Sequence, residues 1–304
     1  MGHRRFKLLL FAILSSSPSA AFGQSVIRTL LGAAPDGIPA LSATLNIPKA
    51  VTADQNGNVY VALQGTRQVV RIDPGGTVWL VAGNGSQGST GDGGPAKSAT
   101  LTFPASLALD SLGNLYICDT SAHKIRRVSP DGVISTFAGN GKPANTGDGG
   151  PAIDASLNAP SGIAVDANGG LLIADTGNYE IRIVRPDGTI QRVAGTGTKG
   201  SDGNDGPALN AKLNAPAGVA VDAAQNIYVA DTGNNWIRQI TPDGTITRFA
   251  GRDTSSTGGP FGGGDQTLAL NATLSSPISM TMDQTNNLYH LAANGTVLKT
   301  ESGS

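Results

Sequence analysis

Apolar and polar positions along this chain fall into a unit that repeats five times. In its first segment small and large residues alternate before an aspartate: Ala50-Val51-Thr52-Ala53-Asp54, Ser106-Leu107-Ala108-Leu109-Asp110, Gly162-Ile163-Ala164-Val165-Asp166, Gly218-Val219-Ala220-Val221-Asp222 and Ser279-Met280-Thr281-Met282-Asp283. A period of two predicts a strand, and a strand with one small face fits only where neighbouring backbones crowd together. This is expected to be the innermost strand. After a turn comes an almost wholly apolar run, Val59-Tyr60-Val61, Leu115-Tyr116-Ile117, Leu171-Leu172-Ile173, Ile227-Tyr228-Val229 or Leu288-Tyr289. Residues apolar on both faces predict a strand covered on both sides by other sheets. A third strand carries the pairs Ile125-Arg126, Ile181-Arg182 and Ile237-Arg238, and Pro-Asp-Gly at 130–132, 186–188 and 242–244 predicts a tight turn into a fourth.

The spacing of the copies is regular. Pro48, Pro104, Pro160 and Pro216 each follow the last by 56 residues, Pro277 follows after 61, and the loop prolines Pro95, Pro151 and Pro207 keep the step of 56. A fixed period of this size marks stacked or radially arranged units. Four strands per unit with no helical periodicity predict an all-β fold, a β-propeller of four-stranded blades, and five blades can be counted. The fifth copy stops after its third strand, while Val26-Ile27-Arg28-Thr29-Leu30-Leu31-Gly32 matches the fourth-strand segment Ile246-Thr247-Arg248-Phe249-Ala250-Gly251. The N-terminal segment is therefore expected to close the last blade, which removes the open sheet edges.

The motifs P-S-G-I-A-V-D at 160–166 and I-Y-V-A-D-T-G-N at 227–234, each followed by Ile-Arg, closely resemble the NHL-repeat family. The resemblance covers nearly all of the chain after residue 23 and is most specific in blades two to four. Leu63-Gln64 and Ala292-Ala293 replace the Asp-Thr pair in blades one and five. The resemblance implies a propeller in which six blades are more common than five, so a six-bladed ring, an incomplete one and an unusually small one all stay open. It also implies an alternative function, since related propellers include enzymes of lyase type, which draw several histidines from the channel, and of lactonase type, which ring a metal with Glu, Asn and Asp.

Composition narrows the function. His3, Arg4, Arg5 and Lys7, the apolar run 8–14 and the small residues before Gly23 predict a secretory signal peptide over residues 1–23, its core too short to span a membrane. Residues 24–304 then form the propeller, secreted or periplasmic, with no membrane insertion. Of 21 basic residues three lie in the signal, leaving 18 against 22 acidic, a net of −4 that points away from nucleic acid. The only cysteine, Cys118, excludes an internal disulfide and falls in the register of Ala174 and Ala230, as expected of a small buried filler.

Candidate chemistry lies on the loops. Asp119, Asp175 and Asp231, one per blade, are expected to accept backbone N–H bonds and hold the turn from second to third strand, because repetition at equal spacing points to architecture. Arg126, Arg182 and Arg238 repeat in the same way and are read as framework. The loops Gly91-Asp92-Gly93-Gly94-Pro95 and Gly147-Asp148-Gly149-Gly150-Pro151, with the variant Gly203-Asn204-Asp205-Gly206-Pro207, run into another strand, which does not suit a phosphate loop, and offer one or two carboxylates each, so they are read as structural connections with a calcium ion there left open. After the signal only His123 and His290 remain, and the glutamates are Glu180 and Glu301. The residues after the opening prolines, Lys49, Ala105, Ser161, Ala217 and Ile278, bring no carboxylate or histidine to the axis. No catalytic residue, metal ligand or cofactor is therefore assigned. The expectation is a monomeric, non-catalytic binding or scaffold module that engages a protein or glycan through exposed loop residues His123, Asn178, Tyr179, Asn234, Asn235 and Trp236, with packing between blades the other reading for Tyr179 and Trp236.

Overall fold

The computed structural model describes residues 37–40, 43–252, 269–283 and 285–300. Each repeat forms one antiparallel sheet in simple chain order. Blade two runs Pro104–Leu109, Leu115–Asp119, Lys124–Val128 and Ile134–Ala138, and blade three Ile163–Val165, Leu171–Asp175, Glu180–Val184 and Ile190–Ala194. Blade one is Pro48–Ala53, Val59–Leu63, Gln68–Ile72 and Thr77–Ala82, and blade four is Pro216–Val221, Ile227–Asp231, Trp236–Ile240 and Thr245–Ala250. Blade five shows three strands among the described residues, Pro277–Met282, Leu288–Ala292 and Val297–Thr300. The fold is an all-β propeller. Among the described residues the helices are three-residue 3-10 turns, and none is long and apolar enough to cross a membrane.

The cores lie between blades, which is why the second strand is apolar on both faces. Leu171–Asp175 is buried throughout. Cys118 and Tyr116 of blade two share a cluster with Ile163, Leu171 and Ile173 of blade three, capped by Ala152, Ala155 and Leu157 of the connecting loop. A fully buried leucine such as Leu157 contributes about 1.5–3 kcal/mol by removal of apolar area from water. The small inner face is a steric requirement. A Cβ on Gly162 would stand 2.4 Å from the Ala217 carbonyl oxygen and 2.9 Å from Gly218 Cα, so the first strands of blades three and four can approach this closely only with glycine there.

The three inter-blade loops between blades one and four cross the outer rim in one way. In the loop between blades two and three, Gly139 N–H at the end of one fourth strand donates to Ala152 O (2.9 Å), and Ala152 N–H donates to Gly188 O at the start of the next (2.9 Å). The loop before blade one follows the same plan: Ile38–Pro39 pairs with Thr77 and Val78 as Gly206–Pro207 pairs with Thr245 and Ile246, and Ala40 N–H donates to Gly76 O (2.6 Å). The segment 26–32, expected to supply a fourth strand to blade five, lies outside the described residues, as does the signal peptide. The first strands of blades one to five pack side by side in succession, but that of blade five does not pack on that of blade one in this way, and its face is correspondingly more exposed.

Candidate functional site

The turns from second to third strand are built on buried carboxylates. Asp119, Asp175 and Asp231 are fully buried. Asp119 accepts N–H bonds from Thr102 (3.0 Å) and Phe103 (2.5 Å), Asp175 from Asn158 (2.7 Å) and Asp231 from Asn214 (2.7 Å). The donors belong to the loop that enters the blade, so each carboxylate ties that loop to the turn rather than closing the turn alone. Burial raises all three carboxyls, to about 6 for Asp175 and Asp231, against the hydrogen bonds and arginine charge that pull them down.

Arg126 and Arg182 are buried beside these aspartates, each at a strand irregularity between the Ile and the Arg that re-aims the side chain. Their charge is met by the loops once considered for calcium: Arg126 Nη2 lies 2.5 Å from Asp92 Oδ1, and Arg182 Nη2 and Nε lie 2.7 and 3.0 Å from Asp148 Oδ1. The framework reading of Arg126 and Arg182 and of their glycine-rich loops thus has a physical basis in one ion pair each in blades two and three.

The six candidate binding residues are mostly occupied by structure. Asn178 Nδ2 donates to Asp175 Oδ2 and Ala144 O (both 2.8 Å), and Asn234 Nδ2 donates to Asp231 Oδ2 (2.7 Å) and Gly200 O (2.8 Å). His123, Tyr179 and Asn235 end the 3-10 turns in the left-handed region, with φ of 55, 56 and 57°. From there His123 Nδ1 accepts the Ala159 N–H (2.9 Å) and Asn235 Oδ1 the Ser276 N–H (2.8 Å), each reaching toward the next blade. The expectation of exposure fails at Asn178 and Trp236, which are 7% exposed. The guanidiniums of Arg238 and Arg248 lie over the Trp236 ring, 5.6 and 5.2 Å from its centroid. Only Tyr179, half-buried, makes no side-chain hydrogen bond among the described residues.

Along the axis the inner strands line a half-open channel of about 800 Å³, with Lys49, Ala105, Ser161, Ala217 and Ile278 at one mouth. Ser161 Oγ is engaged with Thr176 Oγ1 (2.5 Å) and Ala217 O (2.9 Å). His290 also borders the channel, at the position Ile173 and Val229 fill in blades three and four. It is buried, neither ring nitrogen has a partner among the described residues, and desolvation lowers its pKa to about 4. Among the described residues no three His, Cys, Asp or Glu side chains converge as metal ligands would.

The sequence profile described as the Teneurin NHL domain matches residues 80–146, 139–202 and 197–303. The chain belongs to this family. Human teneurin-4 is 32% identical over 238 residues, which are 67% of this chain and 8% of that protein, so the chain spans a small part of the length of the teneurins it matches. Its fold is similar to a chain of a nidogen/laminin complex, with a TM-score of 0.57, 18% identity and coverage of 86% of this chain and 78% of that one. A gluconolactonase of Xanthomonas campestris is similar at a TM-score of 0.53, with 17% identity and coverage of 84% and 75%.

This teneurin-type NHL propeller carries an exposed feature that the strand periodicity did not reveal. On the outer rim, Ile153, Leu209 and Leu270 stand at one register of successive inter-blade loops and are 52, 46 and 47% exposed. The alanines beside them, Ala152 and Ala208, are buried against the blades, which leaves the aliphatic chain of the next residue facing water. The A-x-x-A-x-L spacing was the available signal: with both alanines and the leucine facing inward, the residue after the first alanine must face outward.

Proposed function

We propose that this chain is an exported, non-catalytic scaffold that binds another protein along the outer rim of its ring. The observation that carries the reading is the row Ile153, Leu209 and Leu270, where aliphatic side chains repeat on the surface of a protein whose other apolar repeats are buried. Membership of a family of NHL domains supports it. Aliphatic contacts favour a protein over a glycan, which is usually met by exposed aromatic faces and polar groups. The lyase or lactonase reading has no convergent side-chain set to support it among the described residues. Export rests on the leader of residues 1–23.

The test uses the full chain and the triple variant Ile153→Ser, Leu209→Ser, Leu270→Ser, with thermal unfolding as a control for folding. A defined partner, recovered by cross-linking on the wild type and then purified, should bind the wild type and lose at least tenfold in affinity for the variant. Equal affinity for both proteins would remove the rim from the reading. Export predicts a mature chain beginning at Gln24 in the envelope or medium, and retention of Met1 on the functional protein would refute it.

A further inference from the structure

Three inter-blade loops carry the same turn at a step of 56 residues, and one of them has lost its charge: Asp92, Asp148, Asn204. Their backbones are equivalent. The N–H of Gly93, Gly149 and Asp205 donates to the carbonyl of Ile134, Ile190 and Ile246 at 2.8, 2.7 and 2.8 Å, and the three donors share the left-handed region at φ 79, 83 and 60°. Asn204 therefore stands where its neighbours place a carboxylate.

The arginine that this carboxylate would meet is still present. Arg238 is as fully buried as Arg126 and Arg182. In blades two and three the guanidinium Nη2 lies 2.5 and 2.7 Å from an aspartate oxygen, whereas among the described residues Nε and Nη2 of Arg238 have no hydrogen-bond partner, nor has the buried Oδ1 of Asn204. What Arg238 keeps is a long contact from Nη1 to Asp231 Oδ2 at 3.4 Å. A second carboxylate is missing beside it. Arg192 of blade three pairs with Glu180 at 3.2 Å, while its counterpart Arg248 opposes Arg238 across the strands and faces Trp236 at the register of Glu180. Blade four retains two guanidiniums and has lost two carboxylates. Exposed Asp205 acts on Arg238 only at a distance, without an ion pair.

A buried guanidinium with free donors on one edge is costly to leave unpaired, and that edge matches a planar carboxylate in bidentate geometry. In the neighbouring blades the side chains at this position, Asp92 and Asp148, are 45 and 41% exposed, whereas Arg238 Nε and Nη2 and Asn204 Oδ1 are buried, so a carboxylate would enter by turning the Asn204 amide outward. We infer that blade four holds an anion slot, formed by Arg238, Arg248, Asn204 and Trp236, that takes a small carboxylate in the place Asp92 and Asp148 fill in the neighbouring blades. A free carboxylate of formate or acetate size and the end of an acidic side chain present the same group. The slot is independent of the rim proposed for protein binding.

The test is thermal unfolding of the full chain at pH 7.5 and constant ionic strength, with a bulky sulfonate anion replaced stepwise by sodium formate. The wild-type Tm should rise with formate and saturate. Asn204→Asp, which brings its own carboxylate to the slot, should start higher by roughly 2–4 °C and show no formate response. A formate titration followed by Trp236 fluorescence in a Trp79→Phe background reads the same site without unfolding, and the same change should vanish with Asn204→Asp. A flat wild-type response, or equal responses in wild type and Asn204→Asp, overturns the slot. A chloride titration that reproduces both effects at equal concentration overturns the carboxylate class, since charge alone would then account for them.

Discussion

Arg182 on the third strand of blade three and Asp148 on the loop entering that blade are 34 residues apart in sequence, and their side chains meet at 2.7 Å. The guanidinium is fully buried, and the carboxylate closes its outer side at 41% exposure. This pair joins the loop to the blade core. Asp148→Ala should lower the unfolding free energy by roughly 2 kcal/mol in urea, below the full cost of breaking a buried pair because the carboxylate is partly solvated and Arg182 keeps the Ser156 and Thr146 carbonyls. Asp202→Ala, which removes the exposed pair with Lys212, should leave the midpoint unchanged.

The crowding of inner strands predicts a steep dependence on side-chain size. Gly162→Ala forces a methyl group against the Ala217 carbonyl and should cost roughly 2–3 kcal/mol, read as a lower urea midpoint. Gly206→Ala is the matched comparison, because a Cβ there meets nothing within 4 Å, and its midpoint should stay near that of the wild type.

His290 makes stability fall in acid. Its pKa is near 4 when folded against an ordinary value of 6.5, so the unfolded chain takes up the proton first as pH drops. The stabilising contribution is complete above pH 6.5 and is lost as the pH falls toward 4. His290→Val, which restores the residue type of Val229, should gain on the wild type by roughly 2.5 kcal/mol between pH 7.5 and pH 4.5. The elevated carboxyls of Asp175 and Asp231 act in the opposite sense in both proteins, since the folded state protonates before the unfolded one, and they cancel in the comparison. A difference that does not change with pH would show that His290 is solvated.

Cys118 should be silent toward thiol reagents. Its Sγ is buried and donates to Pro160 O at 3.1 Å, and desolvation pushes the thiol well above its ordinary range. Labelling by a disulfide reagent in native buffer should follow the global unfolding rate, with one fast equivalent appearing in denaturant. Fast native labelling would mean that the interface of blades two and three opens locally.

Strand order, the recurrence of the unit and the inward direction of each apolar register were legible in the sequence, because alternation with period two reports which side of a strand is dry, and a step of 56 residues reports that one unit recurs. Cys118 was readable as filler for the same reason: its register is alanine in the neighbouring blades. What only the tertiary structure decided depends on distances between separate repeats. Trp236 and Asn178 look like exposed loop residues, yet adjacent loops cover them; Asp119, Asp175 and Asp231 bind the loop 16 or 17 residues upstream, and Asp175 and Asp231 tie it to Asn178 and Asn234 of their own turns. The pairing of Arg182 with Asp148, and the absence of such a pair at Arg238, arise where one blade's loop lies against the next blade's strand. Periodicity carries no information about that contact, because it records the environment of a residue and leaves out the identity of the neighbour that creates it.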